Sequence, residues 1–579
     1  MDLNLIYGSA ILFFLIASII PYVYDHKILR KISLGFTALA SLDLIIFSGV
    51  ALYFKKDFLW QIYNGTLPLS LHIDPLSAFF ILITAIISFC VSIYSLAYVE
   101  HLESRKDLFL CLLNLFIVSL ILVISSSSML AFIFFWEMMS LTSFLLVMSE
   151  FKNKDTQKAG IFYFVMTQFS TVFLLTAFLI LYHYTGSLNI AAFHIPSQIA
   201  GLVFVLLFIG FGTKAGVIPF HKWLPYAHPA SPSPISALMS GVMIKVAIYG
   251  LIRFLLLFTE QKLWWGLLIL IFGTISALLG VIYALKEHDL KRLLAYHSIE
   301  NIGIILIGLG LYSIFTVFGY PALAALGIAA ALFHTLNHAL FKSLLFLTAG
   351  SVVNATHTKN IEEMGGLMKK MPYTAILFLI GAISISALPP FNGFVSELMI
   401  FQVFFQSYLI PSPLVESILF ISLSLLAMTS ALAAACFVKA FSAVFAAAPR
   451  SEEAAHAKEA PVSMIIGPSI LALLCAGLGI FSFQIFSFVG KRMGHSFPLP
   501  NMLWITASLL LFAIITIIFV KKFSSTRSRV SETWGCGILS QNAKMEYTAS
   551  GFSEPIITIF SSIYRTKKIN QRTFNDVHN

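Results

Sequence analysis

Apolar residues run through this chain in long, nearly unbroken blocks separated by short polar loops. The blocks lack the strict two-residue alternation of half-buried strands, and polar residues are too few to give a solvated helix face. Each block is near or above the ~20 residues that a helix needs to cross a bilayer. The pattern predicts fifteen spans, at 3–24, 33–54, 76–99, 108–127, 129–148, 161–184, 200–220, 235–258, 264–285, 293–312, 322–351, 373–409, 417–446, 463–489 and 502–520. Ser125 to Ser128 read as a short serine turn between two of them. The first block, Leu3 to Val23, lacks a basic n-region and a small-residue cleavage site, so it reads as a span and not as a cleaved signal. The fold class predicted is an all-α polytopic membrane protein.

Composition agrees. Of 579 residues, 59% are hydrophobic and 11% charged, whereas soluble globular chains carry about 25% charged residues. The runs are too continuous for barrel strands. The formal charge of +10 does not point to nucleic acid, because the basic residues sit in short loops and a tail. Those loops set an orientation. Seventeen Lys and Arg collect on one side, from Lys27 and Arg30 through Lys222 and Lys359 to Lys458, against five on the other: Lys55, Lys56, Lys262, Lys491 and Arg492. The expected N-terminus is outside and the C-terminus is in the cytoplasm, in the inner membrane. Residues 521–579 read as a polar tail, basic at Lys521, Lys522, Arg527 and Arg529, for surface or partner docking or else disordered. Phe552 to Tyr564 within it could form a short amphipathic helix. Cys90, Cys111, Cys436, Cys475 and Cys536 are scattered without metal-site spacing and read as structural thiols.

Two spans carry breakers in their middles: Gly210 to Pro219, and Ala387 to Glu397 through Pro389, Pro390 and Gly393. Irregular backbone at membrane depth needs protein or a wet cavity around it. Breaks at matching places in two halves point to an ion site. Each broken span is the fourth of a five-span block, 108–258 and 264–446. Five is odd, so the second block is inverted relative to the first. Residues 1–107 precede these repeats, and spans at 463–520 follow them. A simple kink is the plain alternative for either break.

Eleven ionisable residues interrupt the apolar blocks: Glu137, Lys214, Lys245, Arg253, His297, Glu300, His334, His338, Lys342, Glu397 and Lys439. A charge in a bilayer centre costs about 2.5–3.5 kcal/mol on insertion scales. Both signs recur on many spans, and moving protons or small cations is the natural use. Glu137 has Lys214 as its candidate partner, either as a switch or as a static pair. Lys245 is too deep to snorkel and reads as a central relay. Arg253 and Lys439, nearer span ends, read as snorkelling. His334, His338 and Lys342 share a helix face at i, i+4, i+8, a titratable stripe suited to a proton wire. A metal pair or haem ligation through the two histidines is the rival. His297 and Glu300 either link water to the relay or cap a helix start. His228 lies in a proline-rich loop, 221–234, that is either a gate or a connector.

At these residues the chain resembles the antiporter-like, proton-conducting subunits of respiratory complex I, multisubunit cation/proton antiporters and membrane-bound group 4 hydrogenases. The resemblance covers about residues 70–450. It rests on Phe135-Trp-Glu137, Lys214 to Pro234, Asp289 to Tyr296, His334 to Lys342 and Leu388 to Glu397. Tyr296 to Gly303, Thr533 to Gly537 and Met545 to Pro555 look like the branch of hydrogenase-4 component B and formate hydrogenlyase. The resemblance implies roles by position: Glu137 and Lys214 the glutamate–lysine pair, Lys245 the central lysine, His334, His338 and Lys342 the axis between half-channels. It implies Glu397 as an acidic terminal group where some members carry lysine. It implies no cofactor or metal in this chain, and as partners other membrane subunits, soluble redox subunits through them, and the lipid bilayer. The chain has no long extra segment after residue 520 for a span-bridging lateral helix, which weakens assignment to the distal complex I subunit. Other expectations compete: a complex I or multisubunit sodium/proton antiporter subunit, a haem- or quinone-binding redox subunit, or a scaffold that has lost transport.

Overall fold

A computed structural model describes residues 3–23, 26–63, 69–102, 105–193, 195–493, 496–524, 537 and 543–564. Among them, fourteen helices are long and apolar enough to cross a membrane. Helices α1 (Leu3–Val23) and α2 (Lys27–Phe54) lead into strands β1 (Phe58–Tyr63) and β2 (Leu69–Ile73), an antiparallel hairpin. The hairpin is a small β element in an otherwise helical fold. Its strands are too short to register against a span-length pattern, and β2 is extended by a bridge from Leu71 to Ser126 in the expected serine turn. Asp74 then caps α3 (Pro75–Tyr98), whose proline opens the helix where no N–H partner is needed.

Next come α4 (Lys106–Ser125), α5 (Met129–Val147), α6 (Lys154–Thr185) and α7 (Ser197–Ala215). The proline-rich stretch 221–234, expected as a loop, instead carries α8 (Leu224–Ala230) and the start of α9 (Ser233–Leu238). A π-helical turn, Met239–Met243, joins α9 to α10 (Ile244–Leu255) as one span. The second half holds α11 (Leu263–Lys286), α12 (Leu290–Val317), α13 (Pro321–Thr356), α14 (Pro372–Ile385), α15 (Asn392–Phe404) and α16 (Pro413–Phe445). After them stand α17 (Glu452–His456), α18 (Val462–Ile480), α19 (Ser482–Met493) and α20 (Met502–Phe523). All fifteen predicted spans are present. Fourteen match helices long and apolar enough to cross, the one at 200–220 ending early at Ala215, and the span at 373–409 is the pair α14 and α15.

The span 233–255, α12 and α13 form the buried middle. Glycines let α11 and α12 approach closely: a Cβ on Gly280 would sit 2.6 Å from the Glu300 backbone nitrogen. By contrast α20 buries only Met502 against the rest of the described chain.

The tail motif Thr533 to Gly537 lies almost wholly outside the described residues. Further on, α21 (Ala549–Ile559) and α22 (Ser561–Tyr564) fold back on the body. Phe560, Ile563 and Tyr564 pack on Val281 and Ile282 of α11 and Ala433 of α16. Glu362, in the loop after α13, accepts the Ser550 N–H at 2.6 Å and its hydroxyl at 2.7 Å, closing the N-terminus of α21. Burial pushes the Glu362 carboxyl up, but the Ser550 bonds, His288 and Arg450 outweigh burial and hold it below its ordinary value. A carboxyl depressed by folding contributes docking free energy above its unfolded pKa and loses it as pH falls through the folded value. Protease protection of 543–564 is therefore expected to be full at neutral pH and to fade below the ordinary carboxylate range. Glu362→Ala is expected to lose that protection already at neutral pH. Equal protection of variant and wild type would refute the clamp.

Candidate functional site

The first break is set by Gly216. It takes a left-handed φ of 83° and caps α7, and a Cβ there would lie 2.7 Å from Leu224 Cδ1. Pro219, without an N–H, keeps the helix from resuming. Lys214 is thus placed in the last turn of α7, buried. Its Nζ donates to Ser140 Oγ at 2.9 Å and to the Tyr163 hydroxyl at 3.3 Å. Glu137, one turn before Ser140 on α5 and half-buried, accepts from Gln168 Nε2 at 2.8 Å and from the Thr171 hydroxyl. Glu137 and Lys214 lie within electrostatic reach, yet no direct ion pair joins them among the described residues. Each is held by its own neutral partners, Thr171 and Gln168 for Glu137 and Ser140 and Tyr163 for Lys214.

Tyr163 also meets Ser143 at 2.7 Å and Met243 Sδ at 3.2 Å, in the π turn. The π turn widens the backbone ladder, a local geometry common at functional sites. Lys245 lies just past it, and its Nζ donates to the Ser240 carbonyl inside it. The Ser240 hydroxyl reaches Ser298 of α12 at 2.8 Å.

The stripe on α13 faces this point. His338 is fully buried, and neither ring nitrogen has a protein partner. It lies within electrostatic reach of Lys245 and Lys342. His334 and His338 stack with ring centroids 6.5 Å apart. His334 Nδ1 meets Ser396 Oγ at 2.9 Å and its Nε2 meets Asn301 Oδ1 at 3.1 Å. At the other end Lys342 Nζ donates to the Leu294 carbonyl of α12 and lies 5.2 Å over the Phe346 ring. That ring also stacks on buried His228, whose two nitrogens are likewise unpartnered. His297 Nδ1 pairs with Glu300 Oε2, both buried.

The second break follows α14. Ala387 holds a left-handed φ of 49°, which a non-glycine residue adopts at a cost, and Pro389 and Pro390 follow. Gly393 lets α15 start against α14: a Cβ there would fall 1.9 Å from the Ser384 carbonyl oxygen. Asn337 and Asn392 bind each other across the break at 3.1 Å. Glu397, on α15 and one residue after Ser396, accepts the Ser430 hydroxyl of α16 at 2.6 Å.

The buried ionisable groups thus line up between two broken helices, and comparison with known proteins shows the same kind of chain. A family model described as NADH:quinone oxidoreductase/Mrp antiporter, TM, matches residues 126–422. The chain belongs to this family. Residues 60–109 match the model for the N-terminus of complex I chain 5. Hydrogenase-4 component B of Escherichia coli (strain K12) is 38% identical over 530 residues, covering 86% of this chain and 78% of the relative. Formate hydrogenlyase subunit 3 of the same organism is 34% identical over 511 residues, covering 86% and 82%. A chain of the membrane-bound sulfane sulfur reductase, an archaeal respiratory membrane complex, superposes with a TM-score of 0.82. It is 26% identical and the match covers 96% of this chain and 92% of that one. Like the family, the chain is a multi-pass membrane protein.

Several sequence expectations about this family member change. Lys439 does not snorkel: it is fully buried and donates to the Leu285 and Glu287 carbonyls at 2.7 Å, closing the C-terminus of α11. Arg253, partly exposed, reaches Asp74 at the start of α3. It forms a bidentate pair with Asp74, at 2.5 and 2.6 Å. His297 and Glu300 do not cap α12, because Asp289 does. Lys342 sits at the far end of the stripe, about 12 Å along the helix from His334. Ser140, Tyr163, Ser240, Asn301, Ser396 and Ser430 were missed, since nothing local marks one serine, tyrosine or asparagine in a span as a relay partner. Lys291, expected in a loop, is buried and donates to the Ser231 carbonyl.

Tyr163→Phe tests the site. It removes one of two hydroxyl partners of the buried Lys214, which is expected to cost about 1–3 kcal/mol. A denaturation midpoint unchanged from wild type would show that Lys214 is not held there.

Proposed function

We propose that this chain is a proton-translocating subunit of a complex I-like oxidoreductase assembly, of the membrane-bound hydrogenase or formate hydrogenlyase type. The observation that carries this reading is the buried row Lys214, Lys245, His338, His334 and Glu397, each ionisable and none locked in an ion pair among the described residues. Glu137 and Lys214 load the first half. Lys245 is the central group, and His338 and His334 pass the proton along α13. Glu397, beside Ser396 and Ser430, exchanges it at the second break. His228, His297 and Glu300 flank the row as further relay groups. Water must bridge Lys214 to Lys245, because Met243 between them carries no exchangeable proton. The free nitrogens of His338 suit the same role.

In this proposal residues 108–258 and 264–446 are inverted repeats, each with one broken helix, after 1–107 and before 463–520. The Lys and Arg distribution supports a C-terminus in the cytoplasm and an N-terminus outside, in the inner membrane. The bare apolar surface of α20 supports contact with lipid and neighbouring membrane subunits. Soluble redox subunits would act through those neighbours. The chain itself would bind no cofactor and no nucleic acid. No three His, Cys, Asp or Glu side chains among the described residues are grouped to hold a metal. Both nitrogens of His334 are engaged by Ser396 and Asn301, which argues against a haem ligand there.

Lys214→Ala, Glu137→Ala and Lys245→Ala are expected to abolish proton flux in vesicles while the complex still co-purifies. Wild-type flux in these variants would defeat the reading. Glu397→Gln keeps size and hydrogen bonding but cannot titrate, so it is expected to stop turnover-coupled proton release, and Glu397→Asp to retain part of it. Full release in the Gln variant would make Glu397 structural.

A further inference from the structure

A second feature lies outside the buried row. A cavity of about 770 Å³ opens where the start of α6, α8 and the start of α12 meet. Its lining carries four cations, Lys158, Lys222, Arg292 and Lys359, against two carboxylates, Asp155 and Asp289. Asp289 accepts the Arg292 backbone N–H at 2.9 Å, Asp155 lies 3.9 Å from Lys158, and Arg292 lies 4.0 Å from Glu287 beside the cavity. Lys222 is exposed and has no hydrogen bond or ion pair among the described residues. The surplus is positive, and two helix N-termini, of α6 and α12, border the same space.

One wall is aromatic. Arg292 lies 5.6 Å over the Tyr226 ring, and Phe162 meets that ring edge-on at 6.0 Å. Tyr226 is exposed, as tyrosines are at the level of lipid headgroups. Directly along α6 from this rim, Ile161, Val165, Phe169 and Val172 form one exposed apolar face. A basic cavity that continues into a bare apolar stripe matches one kind of molecule, with a phosphate head and acyl chains.

We propose that this cavity binds the headgroup of an anionic phospholipid, with its chains along the exposed face of α6. Basic pockets between membrane helices recognise such headgroups through charge and hydrogen bonds. The site has a structural consequence. Its floor includes Pro229 and Ala230 of α8, and Lys359 Nζ already donates to the Pro229 carbonyl at 2.6 Å. The helix α8 follows the break that positions Lys214 and carries buried His228. A bound headgroup therefore braces the far side of the first broken helix.

The test uses the purified complex containing this chain, in phosphatidylcholine nanodiscs doped with a headgroup-photoreactive phosphatidylglycerol. Labelled peptides are expected to cluster at 153–162 and 222–230. The double variant Lys158→Gln/Lys222→Gln alters two exposed ammoniums, so assembly is expected to be normal while affinity falls about 30-fold. Labelling unchanged in that variant, or equal labelling by a photoreactive phosphatidylcholine, would overturn the site. Displacement of the probe by an equal concentration of inorganic phosphate would assign the cavity to free phosphate and overturn the lipid.

Discussion

The buried lysines of this protein are held by neutral oxygen atoms, and the rest of the site follows from that. Lys214 donates to two hydroxyls. Lys245, Lys291, Lys342 and Lys439 donate to backbone carbonyls. None of the five has a carboxylate within ion-pair distance among the described residues. The magnitudes make this workable. A lysine at the bilayer centre costs about 2.5–3.5 kcal/mol on insertion scales. A hydrogen bond to a charged group returns about 1.5–3 kcal/mol. One or two neutral acceptors therefore offset the cost without fixing the charge. A carboxylate would hold the proton harder, and removing one member of such a buried pair costs about 3–5 kcal/mol. The chain reserves carboxylate partners for positions such as Arg253 with Asp74 and Arg30 with Asp107, where permanence is useful.

Free carbonyls are scarce inside helices, so most of these lysines find theirs at an irregular turn or a helix end, whereas Lys342 uses Leu294 within α12. The π turn exposes Ser240, the end of α11 exposes Leu285, and the end of α8 leaves Pro229 and Ser231. The two breaks end helices beside buried ionisable groups whose partners come from other helices, Ser140 and Tyr163 for Lys214 and Ser430 for Glu397. Gly216 ends α7 at the turn that holds Lys214, and Ala387, in a strained left-handed conformation, ends the turn before Glu397. At the π turn and at the ends of α8 and α11, irregular backbone and buried charge satisfy each other.

The spans and the ionisable residues were legible in the sequence because both are local signals. An apolar block shows its length, and a lysine within it stands out. The i, i+4, i+8 stripe on α13 could be read directly. Partners could not. Ser140 lies 74 residues from Lys214, and Leu294 lies 48 from Lys342. A backbone carbonyl has no sequence signature. The candidate pairing of Glu137 with Lys214 matches opposite charges, where the fold gives Lys214 hydroxyl partners. The hairpin at 58–73 escaped because six residues are too few beside blocks of twenty. The docking of α21 escaped because its anchor, Glu362, looks like any loop carboxylate.

In the proposed function these lysines change protonation in place. Arginine stays protonated at all accessible pH values. Proton uptake by proteoliposomes containing the complex with Lys245→Arg, normalised to assembled complex, tests that claim most directly. The complex is expected to assemble with translocation abolished, because the arginine carries a charge that cannot be released. Translocation at the wild-type rate in that variant would contradict it.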